Sequence, residues 1–167
     1  RGHAPWVIRG NLDARPRMIK FALAPQLWAA YDTEAMSLYQ AWQGDVQFDG
    51  AAYNYKHGPQ PASSGAWYLR DAQGAKWFLE IDGQEHAARV RYLGHEYGAE
   101  KRTASMHYAL EAQGLRLELK ETPDLETVDG TRSFIRQFTR LDLVTAAQAG
   151  CYTGAGERHL AQGTLRH

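Results

Sequence analysis

Apolar and polar residues alternate along much of this chain, and this period of two constrains the fold more than any other feature. Residues 115–120 place leucines at 115, 117 and 119 between Arg116, Glu118 and Lys120. Residues 106–110 and 90–92 repeat the pattern. Because successive side chains of a β-strand point to opposite faces, such segments form strands with one buried and one solvated face. The alternation therefore predicts β-sheets rather than helices.

Turn-forming residues separate these segments. Asp82-Gly83, Gln113-Gly114 and Asp129-Gly130 are predicted to form two-residue hairpin turns, because glycine adopts a positive φ at little cost. Such signals about every 8–12 residues are typical of a β-sandwich or a barrel. We predict an all-β fold with little helix, an antiparallel β-sandwich of the jelly-roll or supersandwich type.

Residues 24–31 fit two interpretations. Pro25 is suited to the first turn of a short helix, which is one interpretation. The other is a pair of strands, because turn-forming residues flank Leu38, Tyr39 and Trp42. We prefer two strands, over residues 27–32 and 36–42, with a further strand over residues 46–48.

Length and composition exclude several classes of protein. The chain has 167 residues, with 19 Lys and Arg against 19 Asp and Glu, and we expect one domain over residues 1–167. The charge balance gives no basis for binding nucleic acid, and no apolar run is long enough to insert into a membrane. The only cysteine, Cys151, cannot form an intrachain disulfide and is expected to be an inert thiol.

The two ends of the chain lead to separate expectations. The sequence starts at Arg1 without a methionine or an apolar targeting segment, which indicates a fragment of a larger protein. Residues 146–167 are poor in large apolar side chains. Two alternatives are open for them: a loosely packed tail, or a segment whose partner strand lies outside this chain.

Aromatic, amide and carboxylate side chains are concentrated between residues 42 and 61, in a segment shaped by glycine and proline. Aromatic faces stack on the C–H-rich faces of sugars, while amides and carboxylates bond hydroxyls. The predicted ligand-binding residues are Trp42, Gln43, Asp49, Tyr53, Asn54, Tyr55, His57, Gln60 and Trp67. The alternative is a long loop whose aromatic side chains pack on one another.

A catalytic alternative uses His57 and Asp49 as acid and base, since a histidine with a pKa near 6.5 can exchange protons at neutral pH. Although the chain has seven histidines, none lies in a metal-binding motif. We therefore predict no metal site.

Residues 11–17 form an arginine-rich polar bend before the first clear strand. An anion or partner contact is one interpretation. The simpler one, which we prefer, is a solvated loop in which Asp13 pairs with Arg15 or Arg17, an interaction worth little at a surface.

Taken together, several segments resemble a module, without an assigned activity, of large secreted bacterial proteins. The segments are Pro5-Trp6-Val7-Ile8-Arg9, Asp13-x-Arg15-Pro16-Arg17-Met18, Leu27-Trp28-x-Ala30-Tyr31-Asp32, Leu38-Tyr39-x-x-Trp42-x-Gly44, Phe48-Asp49-Gly50 and His57-Gly58-Pro59-Gln60-Pro61. Those proteins also carry c-type cytochrome domains and sugar-dehydrogenase-like or sugar-binding domains.

The resemblance implies a periplasmic or extracellular accessory domain that binds carbohydrate or docks a c-type cytochrome as a redox partner. The chain lacks a haem-attachment motif, so we expect no cofactor within it and assign any haem to a partner domain. A sugar-active enzyme and a structural spacer are the alternatives.

Overall fold

A computed structural model describes residues 5–49, 58–71, 73–98, 103–142 and 147–166. Within these ranges the chain forms fourteen strands and no helix. The strands make three antiparallel sheets, none closed into a barrel. The predicted all-β antiparallel sandwich is confirmed. In the same ranges no helix is long and apolar enough to cross a membrane.

The first sheet is a five-stranded meander in chain order, and the other two sheets combine strands from the rest of the chain. The first sheet comprises β1 (Trp6–Leu12), β2 (Arg15–Ala24), β3 (Leu27–Asp32), β4 (Ser37–Gln47) and β5 (Ala62–Arg70). The chain then forms β6 (Lys76–Ile81), β7 (Gln84–Ala87), β8 (Arg89–Tyr97), β9 (Ala104–Ala112), β10 (Leu115–Val128), β11 (Thr131–Arg140), β12 (Ala147–Tyr152), β13 (Arg158–Leu160) and β14 (Gly163–Arg166). The second sheet has the order β14-β11-β10-β9-β8, and the third has the order β13-β12-β6-β7.

The local predictions agree with these strands in most places. Both residues of each predicted hairpin turn have positive φ, as a two-residue turn of the mirror-image type requires. The strand preferred over residues 27–32 is β3, and the one over residues 36–42 is the first part of β4. The separate strand expected over residues 46–48 is wrong, because β4 runs on past Gly44 to Gln47.

The last part of the chain contributes strands to two sheets. Within residues 147–166, β12 pairs with β6 and β13, and β14 pairs with β11. Ala149, Cys151 and Ala161 belong to the main hydrophobic core. These residues thus find their partner strands within the chain.

The main core receives side chains from all three sheets. The first sheet supplies Phe21 and Tyr31, the second supplies Tyr108, and the third supplies Trp77 and Leu79, all of them buried. The ring centroids of Trp77 and Tyr108 lie 5.3 Å apart, joining the second and third sheets. This aromatic contact therefore packs the second and third sheets against each other.

The first sheet is also buried on its outer face, the face turned away from the main core. Leu12, Met18, Trp28, Ala30, Tyr39, Trp42 and Val46 form a second apolar cluster. The described ends of the β4–β5 connection pack against this face: Phe48 lies 6.5 Å from Trp28 between ring centroids, and Pro61 accepts a hydrogen bond from the Asp13 amide. The outer face is thus partly covered by the chain itself.

A β-bulge in β4 brings polar groups together on the outer face. The register between β3 and β4 shifts at Tyr39, so Tyr39 and Gln40 donate hydrogen bonds to the same Asp13 carboxylate, at 3.2 and 3.3 Å. Ser63 donates both its amide and its hydroxyl to Asp13. The predicted solvated loop is wrong: Asp13 links the β1–β2 turn to β4 and β5, and Arg17 pairs with Glu34.

Lys20 is buried on this outer face, with 1% of its surface exposed. Its ammonium donates a hydrogen bond to the Asn11 carbonyl oxygen at 2.9 Å. Burial lowers the pKa of Lys20 from its usual 10.5 to about 8. Holding the charged ammonium inside the fold therefore costs stability at neutral pH.

We expect Lys20→Met to raise the free energy of unfolding at pH 7 by about 2 kcal/mol, because methionine keeps the bulk without the charge. Between about pH 8 and 10.5, Lys20 is protonated in the unfolded chain and neutral in the folded one, so the unfolded chain binds more protons. The stability of the native protein should therefore rise from about pH 8 towards 10.5, and this rise should be absent from the variant. Urea unfolding at several pH values measures both effects. Lys76→Met, at an exposed position, is the control, and equal pH slopes for Lys20→Met and the native protein would contradict the prediction.

Candidate functional site

Four tryptophans form one row across the outer face of the first sheet. Trp6 lies opposite Ala22 in the strand register, Ala22 opposite Trp28, Trp28 opposite Trp42, and Trp42 opposite Trp67. Residues directly opposite each other in antiparallel strands share a face, so these side chains are neighbours. We call this set the tryptophan row.

The centre of the tryptophan row is buried and its ends are open. Trp42 is 0% and Trp28 8% exposed, whereas Trp6 at one end is 44% and Trp67 at the other is 55% exposed. The rings of Trp28 and Trp42 stack with centroids 6.0 Å apart and planes 15° apart. The middle of the row is therefore part of the apolar core, and only the ends face solvent.

Two arginine side chains lie over aromatic rings at the exposed Trp67 end of the row. The guanidinium carbon of Arg70 lies 4.3 Å from the centre of the Trp67 ring, within the range of a cation–π interaction. Arg70 also donates a hydrogen bond to the Tyr39 hydroxyl at 3.0 Å, and Arg15 lies 4.5 Å from the centre of the Tyr39 ring. The indole of Trp67 is thus solvent-exposed, with a guanidinium group over one face of its ring.

The structure joins some of the predicted ligand-binding residues and separates others. Trp42 and Trp67 are neighbours in the row, but Trp42 presents no surface to solvent. Gln43 follows Trp42 in the strand and so points to the opposite face, where it accepts a hydrogen bond from Tyr68. Asp49 is exposed just beyond β4, and Gln60 accepts a hydrogen bond from Asn11 at 2.8 Å.

The remaining predicted residues, Tyr53, Asn54, Tyr55 and His57, lie outside the described residues. The acid–base hypothesis for His57 and Asp49 therefore stays a prediction. Among the described ranges, no group of three or more histidine, cysteine or acidic side chains is arranged to hold a metal ion.

Sequence reasoning missed Arg70, because its position depends on a second bulge. The register between β4 and β5 shifts at Tyr68, so that Trp67 faces Trp42 while Arg70 faces Gln40. In a regular strand, residues three apart point to opposite faces. The bulge instead places Trp67 and Arg70 together on the outer face.

A buried ion pair lies on the other side of the first sheet. Glu121 and Arg136 are 0% and 3% exposed, and the guanidinium donates from Nε at 2.6 Å and from Nη2 at 3.1 Å to the carboxylate. Burial disfavours the charged guanidinium, but attraction to Glu121 outweighs it, so the pKa of Arg136 is raised. The Tyr108 hydroxyl donates to Glu121 at 2.9 Å.

Two further polar groups surround this ion pair. Burial, reinforced by the nearby Glu121 charge, raises the pKa of Tyr31 well above its ordinary value, and the Tyr31 hydroxyl has no hydrogen-bond partner in the part of the chain that the structure describes. Burial also raises the pKa of Cys151, which is 2% exposed. Cys151 is therefore a neutral thiol, as the sequence led us to expect.

A cavity of about 130 Å³ reaches from the protein surface to this ion pair. Arg136 and Cys151 line it together with Arg70, Asp71, Thr153 and Glu157. The Asp71 carboxylate accepts hydrogen bonds from the amides of Gly74 and Gly154, which fixes the turns around the cavity. Among the described residues, the exposed end of the tryptophan row and this cavity are therefore two surfaces suited to a ligand.

Comparisons with known proteins found no matching family model, curated protein or solved structure.

Proposed function

We propose that this protein is a non-catalytic accessory domain that binds carbohydrate at the Trp67 end of the tryptophan row. The observation that carries the proposal is the 55% exposure of Trp67 beside the Arg70 guanidinium. A large aromatic side chain that is exposed and also supported offers a flat apolar surface at little cost in conformational entropy.

The surroundings of Trp67 match the chemistry of a sugar. The apolar face of a pyranose stacks on an indole, and its hydroxyl groups need donors and acceptors at the rim. Arg70 is exposed, lies over the Trp67 ring and supplies N–H donors. Because Trp67 lies on β5, at one edge of the first sheet, a long chain can pass across it.

The net charge of zero supports recognition through local contacts rather than through long-range attraction. In this proposal the domain works in the periplasm or outside the cell, beside the redox or sugar-binding domains of a larger protein. Docking of a c-type cytochrome is a separate prediction, taken from the resemblance alone.

We expect Trp67→Ala to weaken oligosaccharide binding at least tenfold, because the stacking surface is removed. Isothermal titration with cello-, xylo-, chito- and malto-oligosaccharides measures the affinities. Since Trp67 is half exposed, the loss of stability should stay near 1 kcal/mol, which urea unfolding measures.

Trp6→Ala is the matched control, since Trp6 is exposed at the other end of the same row. It should leave the affinity unchanged. Binding heats that are absent for all four oligosaccharide types, or equal for the native protein and Trp67→Ala, would refute the proposal.

A further inference from the structure

The Arg70 guanidinium is exposed and has no carboxylate partner among the described residues. Its Nη2 atom donates to the Tyr39 hydroxyl at 3.0 Å, and its other contacts there are with the rings of Tyr39 and Trp67. Arginine binds a carboxylate through charged N–H groups, in a geometry that no other side chain matches. The charge of Arg70 is therefore available to an acidic ligand beside Trp67.

A chain of hydrogen bonds fixes the orientation of Arg70. The Tyr39 hydroxyl accepts from Arg70 and donates to the Asp13 carboxylate at 3.2 Å. Asp13 also accepts from the side chain of Gln40 and from the amide and hydroxyl of Ser63. Because Tyr39 is buried, the guanidinium is held against a side chain that is itself fixed by the fold. Pre-organisation of this kind lowers the entropy cost of binding.

Two acidic side chains, Asp71 and Glu157, line the cavity that Arg70 also lines. The Asp71 carboxylate accepts hydrogen bonds from three backbone amides of the turns. The Glu157 carboxylate lies 3.6 Å from the imidazole of His159. Within the described ranges neither carboxylate forms an ion pair with Arg70. A ligand can therefore supply the counterion that the fold does not.

A second guanidinium adds to the positive charge at this end of the tryptophan row. The guanidinium carbons of Arg15 and Arg70 lie 4.5 and 5.6 Å from the centre of the Tyr39 ring. In the part of the chain that the structure describes, Asp13 is the carboxylate that contacts the same tyrosine. Charges this close act within the Debye length of about 8 Å at physiological salt. Two cations against one anion thus favour an acidic ligand.

We propose that the carbohydrate bound at Trp67 is an acidic oligosaccharide, a chain of uronate sugars, with a carboxylate that pairs with Arg70. This inference rests on the proposed function, because stacking on Trp67 is what brings the sugar to Arg70. A uronate keeps the apolar C–H face of a pyranose and adds one carboxylate per sugar, so it matches both the indole and the guanidinium. A neutral sugar offers Arg70 only a hydroxyl oxygen, which is a weaker acceptor.

The test compares trigalacturonate and trimannuronate with their fully methyl-esterified forms, which keep the sugar rings and lose the charge. Isothermal titration calorimetry at pH 7 measures the four affinities. We expect each acidic trimer to bind at least tenfold more tightly than its ester, since a hydrogen bond to a charged acceptor is the stronger one. The difference should narrow as NaCl is added. Equal affinities for acid and ester, or no binding by either acidic trimer, would overturn the proposal.

Arg70→Gln removes the charge and keeps a hydrogen-bond donor at an exposed position. It should reduce the preference for acid over ester to less than threefold. Arg89→Gln is the matched control, because it removes the same charge from an exposed position on β8 and should leave the preference unchanged. An unchanged preference in Arg70→Gln would contradict the proposed pairing. Urea unfolding verifies that both variants are folded.

These titrations fail separately from those of the carbohydrate proposal. If neutral oligosaccharides bind through Trp67 and the acidic trimers show no preference over their esters, the uronate proposal is refuted and the carbohydrate proposal stands. If the acidic trimers bind the native protein and Trp67→Ala equally well, the site at Trp67 is refuted and both proposals fall.

Discussion

Glu121→Gln is expected to lower the free energy of unfolding by about 3–5 kcal/mol, because it removes one member of a buried ion pair. Glutamine keeps the shape of the side chain, but the Arg136 guanidinium, 3% exposed, then stays charged without a counterion. Tyr108 loses its anionic acceptor as well. Urea unfolding followed by tryptophan fluorescence gives the difference.

Two variants test the cause of this loss. Glu118→Gln changes the same residue type in the same strand, but the pair it forms with Arg116 is exposed, so its cost should stay below about 1 kcal/mol. Replacing both members of the buried pair, Glu121→Leu with Arg136→Met, should recover most of the lost stability, since no buried charge remains. A loss below 1 kcal/mol in Glu121→Gln would show that water in the adjoining cavity stabilises the Arg136 charge as well as the carboxylate does.

Gly65→Ala should destabilise the fold by about 3–5 kcal/mol. Gly65 lies opposite Gly44 where β4 and β5 approach closely, and a Cβ at Gly65 would overlap the carbonyl oxygen of Gln43. Its φ of 125° is also one that side chains rarely adopt. The overlap and the strained backbone both oppose the substitution. Thermal and urea unfolding measure the effect.

Gly83→Ala separates these two contributions. Gly83 has a φ of 76° in the β6–β7 turn, and a Cβ there would meet nothing within 4 Å. It should therefore cost about 1–2 kcal/mol from the backbone conformation alone. Equal losses in the two variants would show that β4 and β5 can separate at Gly65 to admit a methyl group.

The sequence was most informative where one strand face is buried and the other is solvated. In β10, Leu117 and Leu119 are buried between partly exposed neighbours, and the hairpins before and after it turn at Gln113-Gly114 and Asp129-Gly130. The alternation of apolar and polar residues and the residue types of a tight turn are local properties. The sequence of a single strand and its turn is therefore enough to predict them.

The candidate site depended on features that no local pattern contains. The bulges at Tyr39 and Tyr68 decide which side chains share the outer face, and each depends on how two strands pair. Trp42 and Trp67 are the same residue type, yet β4 lies between β3 and β5 in its sheet, whereas β5 lies at the edge. The same residue type is therefore a core side chain in one strand and an exposed one in the other.

Burial of the first sheet on both faces also determines how the protein opens. All five residues from Leu27 to Tyr31 of β3 are buried, and the strand is hydrogen-bonded to a neighbour on either side. No local fluctuation can expose these amides without taking apart both apolar clusters. Their hydrogen exchange should therefore be among the slowest in the molecule and should proceed through global unfolding. The exchange rates of β3 thus provide an internal measure of total stability in the native protein.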